Sequence, residues 1–355
     1  MFRWVIQPYL RYSIQINSKI QNMNKLSIWK ILFLLFLIIG TVYILGKQKP
    51  YITHSGKIFG TFYNITYSSD VDLSKEIKAT LIQVDNSLSP FNNQSIITAI
   101  NNNIETTPDN MFTHVFTLAQ SISEKTDGAF DITVAPLVNA WGFGFKKGIV
   151  PDSTTIDSLR QFIGYTSIEL TDGKIAKQHP QTMLDCSAIA KGYGCDAVAS
   201  MLDAHGVKNY MVEIGGEVVT KGKNSKGGIW TIGISKPTDN PTTSNNELHE
   251  IIGISDKSLA TSGNYRNFRE ENGRKIAHTI DPRTGYPVQH SLLSATVIAD
   301  DCATADAYAT AFMVMGTEKA IQFCKDNDID GYFIYSDDNG MLKTTMTEGF
   351  RRYLK

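Results

Sequence analysis

Apolar positions recur every three to four residues at Leu73, Ile77, Leu81, Val84 and Leu88, the spacing of a helix with one buried face, and Asp72 stands where a cap belongs. A second helix is predicted from Pro108, suited to a first turn, through Met111, Phe112, Val115, Phe116, Ala119 and Ile122, stopping before Gly128. A third covers about Ser187 to Ala204 and ends at His205-Gly206. Helices are further expected over about Thr304 to Met315 and Glu318 to Asn327. Between them lie short β-branched or aromatic runs: Ile58–Tyr67, Tyr210–Ile214, Ile229–Ile234, Ile251–Ile254, Lys275–Ile280, Leu293–Ala299, Tyr332–Tyr335 and Met341–Thr345. Turn residues separate the runs. This is the pattern of antiparallel meanders in an α+β fold rather than of regular βαβ units, and no repeat or low-complexity linker interrupts it.

One segment is apolar on every side. Ile31 to Leu45 reads ILFLLFLIIGTVYIL, and extended to residues 27–46 it is long enough to cross a bilayer. Arg3, Arg11, Lys19, Lys25 and Lys30 precede it, and no acid occurs before Asp70, so the positive-inside rule puts the N-terminus in the cytoplasm. A cleaved secretory signal is the alternative. The long basic region and the lack of a small-x-small cleavage site favour an anchor. The expected order is a basic cytoplasmic segment over 1–26, the anchor over 27–46, a tether over 47–57 and one globular domain over 58–355.

Residues 1–50 hold seven of the 34 Lys and Arg and none of the 35 acids, so the remainder carries a formal charge of 27 − 35 = −8. Such a surface disfavours nucleic acid. Cys186, Cys195, Cys302 and Cys324 form neither a C-x-x-C pair nor a zinc spacing. An exported domain permits disulfides, while four small buried side chains explain the cysteines equally well.

Four constellations can carry chemistry. Asp306 and Thr310 share a helix face, with Asp300 and Asp301 upstream; hard oxygens suit Mg²⁺ if a pyrophosphate supplies the other ligands, whereas a cap or solvated pair needs no ligand. The segment Asp185 to Gly192 joins a strand to a helix start, where backbone N–H groups and Lys191 would suit an anion, though Lys191 also reads as an exposed lysine. His278 precedes a turn, IDPRTG, whose Asp281, Pro282 and Gly285 are structural. The histidine can project into a cleft and accept a hydroxyl proton, or be a satisfied core residue. Gly128 to Pro136 followed by WGFG offers either a wall for a flat ring or a core corner around Phe130, Trp141 and Phe143.

In order along the chain, GTFYNITY, LSPFNNQS, DGAFDITVAPLVNAWGFG, LDCSAIAKGYGCD, VEIGGE, WTIGISKP, LATSGNYRNF, HTIDPRTGYPV and ADAYATAFMVMG together resemble the ApbE family of FAD:protein FMN transferases. The resemblance spans about Phe59 to Gly316. It implies a single α+β domain in which Mg²⁺ grips the FAD pyrophosphate, a threonine (or serine) hydroxyl of an acceptor protein attacks the FMN phosphorus, and AMP leaves. Carried onto this chain, it implies Asp306, Thr310 and the Ala188 carbonyl as metal ligands and His278 as base. Phe59, Phe91, Ala129, Phe130, Asp131, Asp185, Lys191 and Ile280 would contact FAD. Phe91 stands where the family often has Tyr.

Family acceptors carry a D-x-x-[ST]-G-A-[ST] type motif, absent from this sequence, so the acceptor is expected to be another chain; flavoprotein subunits of membrane redox complexes would fit. The expected location is the inner membrane of a bacterium, single-pass, with the domain on the periplasmic side. Two alternatives use overlapping residues: a Mg²⁺-dependent FAD pyrophosphatase yielding FMN and AMP, and a non-catalytic extracytoplasmic flavin-binding protein.

Overall fold

The structure, a computed structural model, describes residues 28–41, 49–145, 150–237, 248–264, 268–271 and 274–355. The chain divides into two units, Met1–Pro50 and Tyr51–Lys355. In the first, residues 28–41 form helix α1, with large apolar side chains from Ile28 to Ile39 exposed. No helix among the described residues is long and apolar enough to cross a membrane. Residues 1–27 and 42–48, which hold the basic segment and both ends of the expected anchor, lie outside the described residues.

The second unit is built on an eight-stranded sheet in which every neighbouring pair is antiparallel. Its strands in spatial order are β1 (Tyr51–Ile58), β2 (Thr61–Ser68), β5 (Tyr210–Ile214), β6 (Glu217–Lys221), β9 (Lys257–Gly263), β12 (Leu292–Ala299), β13 (Asp330–Ser336) and β14 (Leu342–Met346). Two-stranded ribbons are added by β3 (Ile168–Thr171) with β4 (Lys174–Lys177), β7 (Trp230–Ser235) with β8 (Leu248–Ile254), and β10 (Phe268–Glu271) with β11 (Arg274–Ala277).

Two expectations change here. The tether stops short of Tyr51, because β1 pairs with β2 along its whole length. The single strand expected over Ile58–Tyr67 is broken at Phe59 and Gly60, whose φ values of 50° and 73° make the two-residue turn that matches the twist of a hairpin.

The helices are α2 (Ser74–Leu88), α3 (Ile96–Asn101), α4 (Asn110–Lys125), α5 (Ala135–Ala140), α6 (Ser153–Arg160), α7 (Ala190–Ala204), α8 (Cys302–Met315) and α9 (Thr317–Asp326). α4 begins after Asp109, whose carboxylate accepts from Phe112 N at 2.7 Å, so the cap displaces Pro108 from the first turn. α8 is buried on nearly every side, from Cys302 through Val314, and its alanines allow close packing against β9 and β12. The main core gathers α8 with Phe112, Val115 and Phe116 of α4 and with Leu292, Val297 and Phe333 of the sheet. One carboxylate, Asp306, sits within this apolar helix at 1% exposure.

Candidate active site

The starts of α7 and α8 satisfy one another. A helix leaves its first N–H groups without intrahelical partners. Asp196 of α7 accepts from Cys302 N (2.8 and 3.0 Å) and Ala303 N (2.8 Å) at the start of α8. Asp306 of α8 accepts in return from Gly192 N at 3.0 Å, in the first turn of α7. The approach is close enough that a Cβ on Gly192 would lie 2.3 Å from the Cys302 carbonyl oxygen. α7 itself starts later than the sequence suggests, at Ala190, and neither Asp185 nor Ser187 caps it. Asp185 instead accepts from Ser187 N at 2.8 Å and closes the turn ahead of the helix.

Lys191 lies between two buried carboxylates. Its Nζ is 2.9 Å from Glu217 Oε1 and 3.6 Å from Asp306 Oδ2. Burial alone would lower its pKa, but Asp306 and then Glu217 hold the ammonium above its ordinary range. Burial raises Glu217 to about 7, with Lys191 opposing and Asp306 adding to the shift. Asp196 is also raised to about 7 by burial, against the N–H groups it accepts. Asp185 moves upward for the same reason. Burial, more than any neighbouring charge, holds Asp185, Asp196 and Glu217 above the usual carboxylate range.

A second group of residues is aromatic and more open. His278 follows β11, half-buried, with its ring edge-on to Phe143 at 6.4 Å between centroids. Phe145, two residues on, meets Phe91 edge-on at 6.2 Å, and Phe91 is 65% exposed. The turn after His278 is fixed by Gly285 N to Asp281 O (2.8 Å), by Trp141 Nε1 to Gly285 O (2.9 Å), and by the two-point pairing of Arg283 with Asp281. The end of β9 joins the two groups. Ser262 Oγ shares a hydrogen bond of 3.0 Å with Thr310 Oγ1, and Asn264 Oδ1 accepts from Thr279 Oγ1, beside His278, at 2.6 Å.

The sequence model of the ApbE family matches residues 59–333. The chain belongs to the ApbE family. It is 38% identical over 325 residues to the FAD:protein FMN transferase of Haemophilus influenzae, covering 86% of this chain and 92% of that protein. Against the FAD:protein FMN transferase of Vibrio cholerae the identity is 35%, covering 87% and 95%. Among solved structures, the flavin transferase ApbE from Vibrio cholerae superposes with a TM-score of 0.77 at 34% identity over 86% of this chain and 99% of its own. The apo flavinyl transferase ApbE of Pseudomonas stutzeri gives 0.78 at 31% identity, over 86% and 98%.

Of the residues that the ApbE resemblance assigns, the structure brings Lys191 and Asp306 into one cluster, with Asp185 coupled to Lys191, Ala188 three residues before Lys191 and Thr310 one helical turn beyond Asp306. The Phe59 ring lies against α7, its Cε2 2.9 Å from where a Cβ on Gly194 would stand. Three side chains go elsewhere. Ala129 and Phe130 are 1% and 2% exposed, with Phe130 inside the main core, and Ile280 joins Leu137, Trp141 and Ile156 in a satellite core. The wall expected from Gly128 to Pro136 is therefore a core corner; Phe91 is exposed, while Phe143 and Phe145 are half-buried.

Asp131 spends both oxygens on structure, accepting from Thr133 N and Oγ1 (2.8 and 2.7 Å) and from Tyr165 N (2.8 Å). Glu217, Asp196, Ser262 and Asn264 were not singled out by residue type. The available signal was their place inside the ApbE blocks VEIGGE, LDCSAIAKGYGCD and LATSGNYRNF.

Proposed function

We propose that this chain transfers the FMN half of FAD to a threonine hydroxyl of a separate acceptor protein, releasing AMP. The observation that carries the reading is the joining of Asp306 and Thr310 to the His278 segment through Ser262 and Asn264, inside an ApbE match over residues 59–333. Attack on an anionic diphosphate needs charge neutralisation, alignment and removal of one proton. The acceptor oxygen forms a bond to the FMN phosphorus as the bond to the AMP oxygen breaks. His278 takes the hydroxyl proton, and Lys191 supplies positive charge on the phosphate side.

The residues present fit a hard divalent cation. Both contacts of Asp306 fall on Oδ2, leaving Oδ1 without a hydrogen bond among the described residues, and Glu217 Oε2 is buried with no partner. Lys191 sets one ammonium against two buried carboxylates, Glu217 and Asp306. No cluster of three His, Cys, Asp or Glu side chains stands among the described residues, so the reading needs substrate phosphates to complete the shell. Asp306, Thr310 and the Ala188 carbonyl would hold Mg²⁺, which supplies neutralisation of the pyrophosphate and polarisation of phosphorus. Asp131 and Asp185 each close a turn by accepting from the backbone N–H two residues on.

The basic N-terminus and the apolar run over 27–46 support an anchored protein with its domain outside the cytoplasm, where flavin-bearing subunits of membrane redox complexes would be acceptors. Mass spectrometry of exported proteins from strains with and without this chain tests the reading. A threonine-linked FMN present only with the chain is expected; identical flavinylation in both strains would refute it.

A further inference from the structure

We infer that Glu217 is a positioning residue: it draws the Lys191 ammonium away from Asp306 and so keeps an Asp306 oxygen open to a divalent cation. The inference rests on the metal role proposed for Asp306. Lys191 faces both carboxylates but sits unequally between them, at 2.9 Å from Glu217 and 3.6 Å from Asp306. Asp306 directs the same oxygen, Oδ2, to Lys191 and to Gly192 N. Its other oxygen is uncommitted among the described residues.

Glu217 is well placed to win that contest, because its own position is fixed. It opens β6 directly after the turn at Gly215 and Gly216, pairs with Ile214 across the hairpin, and is 3% exposed. Its carbonyl accepts from the Cys195 thiol at 3.3 Å, tying it to α7. An ammonium that reaches two buried carboxylates stays close to one of them. If the Glu217 charge is removed, Asp306 is the remaining carboxylate within ion-pairing distance of Lys191 Nζ among the described residues. The ammonium then closes on Asp306, and a lysine occupies the carboxylate that a cation needs.

Mn²⁺ binding to the purified full-length protein with FAD present, read by electron paramagnetic resonance, tests this without reference to turnover. Glu217→Gln is expected to weaken Mn²⁺ at least tenfold, and adding Lys191→Met to bring affinity back to within about threefold of the unsubstituted chain. Glu217→Asp keeps the charge but shortens the reach, so positioning predicts a loss of at least threefold where a pure charge effect predicts none. Should Glu217→Gln fail to fold, Lys191→Met alone decides, since removing the competitor must not weaken Mn²⁺.

Unchanged affinity in Glu217→Gln or Glu217→Asp, no recovery in the double variant, or no Mn²⁺ uptake by the unsubstituted chain would overturn the inference. Flavin transfer by the unsubstituted chain, assayed in parallel, separates the two readings. Transfer without the Mn²⁺ pattern removes the role of Glu217 alone, whereas the Mn²⁺ pattern without transfer removes the proposed reaction and leaves Glu217 in place.

Discussion

The α7–α8 junction and the aromatic face beside His278 are made of opposite materials. At the junction, carboxylates are buried in an apolar helix pair, where both Asp196 oxygens and one Asp306 oxygen accept from helix-start N–H groups at 2.8 to 3.0 Å. At the aromatic face, Phe91, Phe143, Phe145 and His278 meet edge-on at more than 6 Å, and Phe91 is largely in solvent. The first is costly to build and gives one geometry; the second is cheap and adaptable. Fixing the phosphates demands the former, since reacting atoms tolerate little misplacement. Receiving a flat ring and an acceptor chain suits the latter.

Substitutions at the two regions should therefore fail differently. Asp306→Ala removes a carboxylate that also accepts from Gly192 N, so transfer should fall by on the order of a thousandfold while the fold loses about 3 kcal/mol, read by denaturant titration. His278→Ala should cost about a hundredfold in kcat with FAD affinity and stability preserved. An Asp306→Ala protein as stable as the parent, or a His278→Ala protein that no longer holds FAD, would erase the contrast. Gly192→Ala forces the helices apart and should cost about 3 kcal/mol of stability, whatever its effect on chemistry. Phe91→Ala, on the open face, should weaken FAD by about 1 kcal/mol, roughly fivefold, in a fluorescence titration and leave thermal stability unchanged.

The smallest effect concerns pH. Asp196 is raised to about 7 in the fold from roughly 4 in an unfolded chain, so the folded state binds its proton more tightly between those values. That contribution is complete below pH 4 and is lost as pH rises through 7. Asp196→Asn should flatten the fall in Tm across this window; an unchanged slope would show that other groups set it.

The same contrast explains which elements could be read from the chain. α2 and α4 were legible because each presents one apolar stripe, and the turn after His278 because Pro and Gly demand it. β9 was not. Its sequence, KSLATSG, holds small residues because the alanines of α8 pack directly on it, and small size erases the β-branched signal by which strands are recognised. Asp306 and Thr310 could be paired from helical spacing alone. Glu217 could not, since its partner Lys191 is 26 positions away in sequence and meets it only through the fold. Ala129, Phe130 and Ile280, which the ApbE resemblance assigns to FAD, turn buried side chains inward, a packing that the resemblance does not reveal.

Incubation of the full-length protein with FAD, Mg²⁺ and a threonine-bearing acceptor, followed by intact-mass and AMP analysis, tests the central claim most directly. One FMN bound covalently at the threonine for each AMP released is expected, and none when the divalent cation is chelated. Free FMN and AMP without covalent flavin, or FAD recovered intact, would contradict it.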